Sequence, residues 1–482
     1  MADFDLLIIG TGSGNSILTE EHEHWRVGIV ERSLFGGTCL NAGCIPSKML
    51  VLPADRMVEA AEATERLGVH IEPRGADWPA IRDRVFGRID PIAASGARYR
   101  HSQGHVTVLH GNARFVGERC VEVAFADGST EQVTADRIVL AAGASPRIPP
   151  VPGLDHVPFH TSDTIMRIDQ LPEHLVILGG GFIAAELGHV FRALGSRVSI
   201  VHRGDRMLRH EDEEVSARFT DAFGERVDLY FDAVTTSVRP DGSGITVEFE
   251  QHIHEGTAKV CRRGSSLTGD VLLVTTGRDP NGPAMQVERA GIEVDEAGYV
   301  VTDDTLRTTA EGVWALGDIR NPQQLKHLAN QEAAVVSHNL LHPDRPRRID
   351  QRVVPHAVFS YPQVGSVGAT EQELRDQGRP YVVGRRDVGG VAYGWALEDT
   401  TGFAKVLVDP DSGELLGGHV LGPQAATLVQ QLTQAMAFRI PADRLAREQI
   451  WCHPALPEVL ENALLDAIER AGGRFQGGST AG

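Results

Sequence analysis

The chain has 482 residues, a formal net charge of −19, 41% hydrophobic and 23% charged residues. At about 100–200 residues per domain this length predicts about three domains. The acidic balance argues against nucleic acid or an anionic membrane as partner, and no stretch approaches the roughly 20 apolar residues of a membrane span.

The start, Met1-Ala2-Asp3-Phe4-Asp5, is acidic and leads straight into an apolar run, unlike a signal peptide. Five cysteines are too few for a secreted disulfide scaffold and suit a reducing cytoplasm. Leu6-Leu7-Ile8-Ile9 reads as a buried parallel strand. It ends in Gly10-Thr11-Gly12-Ser13-Gly14-Asn15, which predicts a turn into a helix N-terminus where backbone N–H groups hold a pyrophosphate. Glu31, 21 residues after Gly10, closes the next strand at the spacing of a ribose-binding carboxylate. Asn15 stands where the usual pattern has its third glycine, and Gly14 is displaced one place earlier.

Next comes Gly36-Gly37-Thr38-Cys39-Leu40-Asn41-Ala42-Gly43-Cys44-Ile45-Pro46-Ser47-Lys48. Two cysteines five apart after a dinucleotide unit, with a lysine beyond, have the layout of a redox-active disulfide laid against a flavin. Two buried neighbours without chemistry are the bland alternative. On an ideal helix such positions have Cα atoms about 8–9 Å apart, whereas a disulfide wants roughly 4.4–6.8 Å. The pair closes only where the first turn is distorted, and Gly43 and Pro46 are residue types that permit it.

Residues 138–143, 271–277 and 312–318 read as strand endings on nucleotide-domain walls, the last closing in Asp318, suited to a ribityl hydroxyl. Proline-rich 146–152 marks a joint. A second unit starts at Leu175 and runs into Gly179-Gly180-Gly181, with a strand over 197–201. No acid follows that strand. Arg203 and Arg209 can grip a 2′-phosphate, favouring NADPH over NADH, or stand as solvated charges on a polar turn. Beyond about 346 the pattern changes to alternating strands such as 403–408 and helices over 425–438 and 457–471. The Gly/Ser-rich end from 472 is expected to lack fixed structure.

In this order, and to about residue 470, the motifs resemble those of the pyridine nucleotide–disulfide oxidoreductases. Stretches 10–18, 326–333 and 453–464 further resemble the branch acting on mycothiol disulfide (mycothione). The resemblance implies an α/β chain with two Rossmann-like dinucleotide-binding domains, for FAD and NADPH, and an α+β dimerisation domain. The expected boundaries are 1–150 and 281–345 for the two parts of the FAD domain, 151–280 for the NADPH domain, 346–470 for dimerisation and 471–482 for the tail. FAD contacts fall on Gly10, Gly12, Gly14, Glu31, Gly37, Thr38, Lys48, Gly143 and Asp318. NADPH contacts fall on Gly179, Gly181, Arg203, Arg209 and Gly277; no metal is implied.

The same resemblance assigns roles. Cys44, nearer the flavin, becomes a thiolate, and the more exposed Cys39 attacks the substrate. Lys48 pairs with Glu186 near the flavin. His453, oriented by Glu458, is the acid–base residue and reaches the active site of the other subunit in an obligate homodimer. Cys452 reads as a packed free cysteine, and Cys120 and Cys261 receive no role.

For the substrate, residues 16–24 are acidic and lack arginine, unlike a site for the carboxylates of oxidised glutathione. Lipoamide dehydrogenases usually end the second nucleotide strand in an acid, where this chain has His202-Arg203. Mercuric reductases add a C-terminal cysteine pair that is missing here. These features favour mycothione, with another family substrate or a complex-bound flavoprotein as alternatives.

Overall fold

The computed structural model describes residues 2–255 and 258–472, apart from the side chains of 253–262. Residues 473–482 of the expected tail and the side chain of Cys261 therefore lie outside the described residues.

Strands Leu6–Ile9 and Val27–Glu31 are buried at every position, as strands covered on both faces must be. They pair in parallel with each other, and with Ile138–Leu140 and Val106–Gly117 on either side; Val313–Ala315 pairs beyond Ile138–Leu140. Val106–Gly117 then continues into antiparallel pairing with Cys120–Phe125, which carries Thr130–Thr134. Helices Cys44–Arg66 and Trp78–Ser102 pack on each other, and the Trp78 indole donates to Ile168 O at 2.8 Å.

The expected helix after Gly14 is absent. Its place is taken by two 3₁₀ turns, Ser13–Ser16 and Glu20–His22. Arg100 Nη2 donates to Asn15 O at 2.6 Å, which diverts a carbonyl that an α-helix would use. Thr19 N–H donates to His22 Nδ1 at 3.2 Å, so Thr19 caps a new turn where the helix would have continued.

The second unit holds four parallel strands in the order Asp228–Tyr230, Arg197–Val201, His174–Leu178, Val271–Val274. Here the glycines do open an α-helix, Phe182–Leu194. An antiparallel sheet of Ala233–Asp241, Gly244–Glu255 and Ala258–Gly269 flanks this unit. The chain enters and leaves through one joint, where Ala144–Pro146 pairs antiparallel with Arg278–Pro280. The second unit is thus an insertion in the first.

The C-terminal sheet has the order His356–Val358, Val364–Gly368, Leu415–Leu421, Phe403–Val408, Val382–Asp387. Helices Ala425–Ala437 and Glu458–Arg470 pack against it. The alternation expected of 403–408 fails: all 6 residues are buried. Helix Glu458–Arg470 covers the strand, and the second unit approaches it as well. From there Arg218 stacks 4.8 Å over the Phe403 ring, and Asp212 accepts from Lys405 Nζ at 2.9 Å.

Candidate active site

Helix Gly37–Asn41 stops at Ala42, and a new helix starts at Cys44. Gly43 eases the break: a Cβ there would sit 3.0 Å from Thr38 O, a contact tight enough to push the two segments apart. This interruption is the distortion that the five-residue spacing demanded. It brings the Cys39 and Cys44 thiols within hydrogen-bonding reach of each other. The hydrogen bond from Cys39, helped by the Lys48 ammonium, pulls the Cys44 thiol down to about 7 against the effect of burial. The same bond, together with burial, pushes Cys39 up. In the reduced pair this arrangement favours the thiolate at Cys44. Both thiols line the same cavity, and Cys44 opens its helix at the cavity wall.

Lys48 lies one helical turn beyond Cys44, so both project to the same side. Its ammonium is 2.7 and 2.8 Å from the two oxygens of Glu186, which is nearly buried on helix Phe182–Leu194. Ser47 Oγ and the Phe359 N–H also donate to Glu186, at 3.2 and 3.0 Å. Lys48 Nζ stands 4.8 Å over the Phe359 ring.

Cys39, Cys44, Ser47, Lys48 and Glu186 line one cavity of about 470 Å³ together with Gly10, Gly12, Glu31, Gly37, Thr38, Gly143 and Asp318. Its geometry fits an extended dinucleotide. Gly10 has φ +102°, and a Cβ there would lie 2.3 Å from Ala141 O; one on Gly37 would lie 2.7 Å from Gly12 Cα. Bare backbone thus forms the cradle. Asp318 is raised above the usual carboxylate range by burial, and no other described residue hydrogen-bonds its side chain. Its half-buried place on the cavity wall leaves it open to a ligand hydroxyl. Glu31 is buried and already accepts from the Thr11 N–H at 2.9 Å and hydroxyl at 2.6 Å. Gly14 is a packing residue and does not line the cavity: a Cβ there would meet Ala141 Cβ at 2.7 Å. Asn15 Oδ1 accepts from Arg100 Nε at 2.7 Å, so the missing third glycine serves as an anchor.

The second glycine turn fits a second nucleotide. Gly179 has φ +126°, with a Cβ position 2.5 Å from Thr275 O. Gly181 caps its helix without a side-chain bond and has open space beside it, leaving backbone N–H groups to a phosphate. Arg203 and Arg209 are exposed on either side of the loop. Between them and Gly180 lies His202, held neutral down to about 4 by burial and by both arginines, with Nε2 buried and unpartnered. Gly277 is not on the first cavity wall. It lies at the joint, where the Arg147 N–H donates to its carbonyl at 2.9 Å.

His453 is exposed on the C-terminal domain and does not line the cavity of its own chain. Its Nδ1 meets Glu458 Oε1 at 2.7 Å, and the Ala455 N–H donates to Glu458 Oε2 at 3.0 Å. The His453 contact, and then that N–H, hold the Glu458 carboxyl below its usual range. The ring is therefore oriented with Nε2 free. Cys452, in the segment after helix Ala442–Glu448, is exposed on the single chain. Ile450 is 100% and Phe438 74% exposed on the same domain, an unusual cost for a lone surface.

Sequence reasoning missed Phe182 and Lys326, both on the cavity wall, and the Phe359 backbone. Phe182 directly follows Gly181, and Lys326 opens a stretch already singled out, so both had a signal. Phe359 had none, because a backbone donor leaves no trace in residue type.

Comparison with known proteins adds an independent finding. Residues 4–333 match the model of the pyridine nucleotide-disulphide oxidoreductases, and residues 354–464 that of their dimerisation domain. The chain is 44% identical to mycothione reductase of Mycobacterium tuberculosis over 96% of its own length and 99% of the relative. Identity to mercuric reductase of Streptomyces lividans is 33%, covering 94% and 93% of the two chains. Among solved structures, the Cu(II) complex of the HOCl-induced flavoprotein disulfide reductase RclA from Escherichia coli superposes with a TM-score of 0.82 at 27% identity, covering 96% and 99%. No described helix is long and apolar enough to cross a membrane.

Proposed function

The chain belongs to the pyridine nucleotide-disulphide oxidoreductases, and from this premise we propose that it reduces mycothione with NADPH through the Cys39–Cys44 pair. It is an FAD-containing disulfide oxidoreductase whose dimerisation domain makes it a homodimer acting on a small-molecule disulfide. The observation that carries the mechanism is the contact of the two thiols beside the Lys48–Glu186 pair on a dinucleotide cavity. Mycothione as substrate rests on the 44% identity with mycothione reductase and on the arginine-free segment after the first glycine turn.

Gly10, Gly12, Gly37, Glu31 and Asp318 would hold FAD, which would supply the two-electron relay between NADPH and the Cys39–Cys44 disulfide, while Gly179, Gly181, Arg203 and Arg209 would hold NADPH. Reduction leaves a thiol on Cys39 and a thiolate on Cys44, steadied by Lys48. Since Cys39 keeps its proton, a base must remove it before Cys39 can attack. His453 of the partner subunit takes that role, with Glu458 orienting its ring through Nδ1. Cys39 then forms a mixed disulfide with one half of the substrate, and the imidazolium protonates the thiol that leaves. Attack of Cys44 on Cys39 releases the second thiol and restores the disulfide. Such a working dithiol suits a reducing cytoplasm, the location we infer.

The test is anaerobic turnover with NADPH on mycothione, oxidised glutathione and lipoamide. Mycothione is expected to lead by far. Half-reduced enzyme should show the long-wavelength absorbance of a thiolate beside oxidised flavin, absent in Cys44→Ser. That absorbance should fade as pH drops through about 7, because protonation removes the thiolate. Flavin reduction with equal turnover of all three disulfides would sink the substrate assignment and leave the thiol roles standing.

A further inference from the structure

Arg203 and Arg209 are exposed, and among the described residues neither guanidinium has a hydrogen-bond or ion-pair partner. What aims them is therefore the backbone of residues 203–209. That backbone needs support, because Leu208 stands at φ +52°, which an L-residue adopts at a cost. The Leu208 N–H donates to Gly180 O at 2.8 Å, and its carbonyl accepts from the Glu211 N–H at 2.9 Å. Helix Glu213–Gly224 holds Met207 from both ends. The Met207 N–H donates to Thr220 Oγ1 at 3.0 Å, and its carbonyl accepts from Ser216 Oγ at 2.6 Å.

The hold on that helix comes from outside the nucleotide unit. Glu211 and Asp212 join the loop to the helix, only His210 separates them from Arg209, and both carboxylates are buried. Glu211 accepts from Ser366 Oγ at 2.7 Å and meets His356 Nε2 at 2.8 Å. Asp212 caps the helix by accepting from the Glu214 N–H at 3.1 Å, and it takes the Lys405 ammonium at 2.9 and 3.1 Å. His356, Ser366 and Lys405 stand on three strands of the C-terminal sheet. A buried ion pair adds little net stability, because desolvation offsets the attraction, but it fixes one arrangement of the parts it joins.

We propose that His356 and Lys405 are positioning residues for NADPH: through Glu211 and Asp212 the C-terminal domain holds the loop so that Arg203 and Arg209 converge on the 2′-phosphate. The proposal rests on the reading of those two arginines above. A loop that is already ordered spares the affinity otherwise lost in ordering it on binding. A dinucleotide without the 2′-phosphate engages neither arginine, so loosening the loop leaves its binding as it was. Preference between the two nicotinamide dinucleotides is thereby set in part by a neighbouring domain.

The experiment titrates oxidised, FAD-loaded enzyme with NADP⁺ and with NAD⁺ by calorimetry, and then measures KM and kcat with NADPH and NADH. The proteins are the parent, His356→Leu, His356→Gln, Ser366→Ala, Lys405→Met and the double variant Arg203→Ala/Arg209→Ala. His356→Leu and Lys405→Met should weaken NADP⁺ binding and raise KM for NADPH about three- to tenfold, leaving NAD⁺ binding and KM for NADH within about twofold of the parent. Ser366→Ala, which strands no charge, should shift the same ratio in the same direction by less. His356→Gln, still able to donate to Glu211, should restore most of the NADP⁺ affinity. Where Lys405→Met yields no folded protein, because it strands a buried carboxylate, the His356 and Ser366 variants decide. An equal loss for both dinucleotides overturns the proposal, and so does an unchanged NADP⁺ affinity in His356→Leu and Ser366→Ala. An Arg203→Ala/Arg209→Ala enzyme that binds NADP⁺ as the parent does would instead defeat the reading of the arginines.

Discussion

In both dinucleotide units a glycine at positive φ turns the chain off a buried parallel strand, Gly10 against the Ala141 carbonyl and Gly179 against that of Thr275. Beyond that turn they part. The second continues into helix Phe182–Leu194, an apolar helix with Ala184, Ala185 and Gly188 buried on the sheet. The first makes two 3₁₀ turns, because Arg100 takes the Asn15 carbonyl and Thr19 caps a new turn. The ribose positions differ as well: a buried carboxylate, Glu31, in one and a neutral His202 between two arginines in the other. A glycine motif therefore fixes where backbone approaches a phosphate. Whether a helix or a turn comes after it depends on a side chain far along the chain.

The largest effect should come from the feature the units share. Gly10→Ala and Gly179→Ala each force a Cβ into a carbonyl at a φ that disfavours L-residues. Gly10→Ala should purify without flavin colour. Gly179→Ala should stay yellow yet be reduced by NADPH on the order of 100-fold more slowly, while dithionite still reduces it; equal loss of both cofactors in both variants would break the comparison. A smaller effect is expected where the units differ. Arg203→Ala with Arg209→Ala should raise KM for NADPH about 10- to 100-fold, from lost charge-assisted bonds, and leave KM for NADH nearly unchanged. His202 titrates only near about 4, so it adds no step to the pH profile of that KM between pH 6 and 8. The smallest concerns the replaced helix. Arg100→Met leaves Asn15 unanchored and should cost about 1–3 kcal/mol, read as a lower denaturant midpoint with FAD retained.

The order of the motifs was legible because each rests on local chemistry. Cys39, Gly43 and Cys44 announced a broken helix, and the break lies at Gly43. The alternation read in 403–408 misled, since Lys405 is buried against Asp212, which belongs to another unit.

Residue types and their spacing were enough to mark where the chemistry sits: glycines at tight turns, two thiols at a helix break, and His453 with the carboxylate of Glu458 close behind it. Backbone sterics and short-range spacing decide those. The folded chain alone revealed that Glu186 neutralises Lys48 and that the pairing of the two thiols favours the thiolate at Cys44 over Cys39. Those outcomes depend on charge separation and burial, and both are set by segments that meet in space far from each other in sequence.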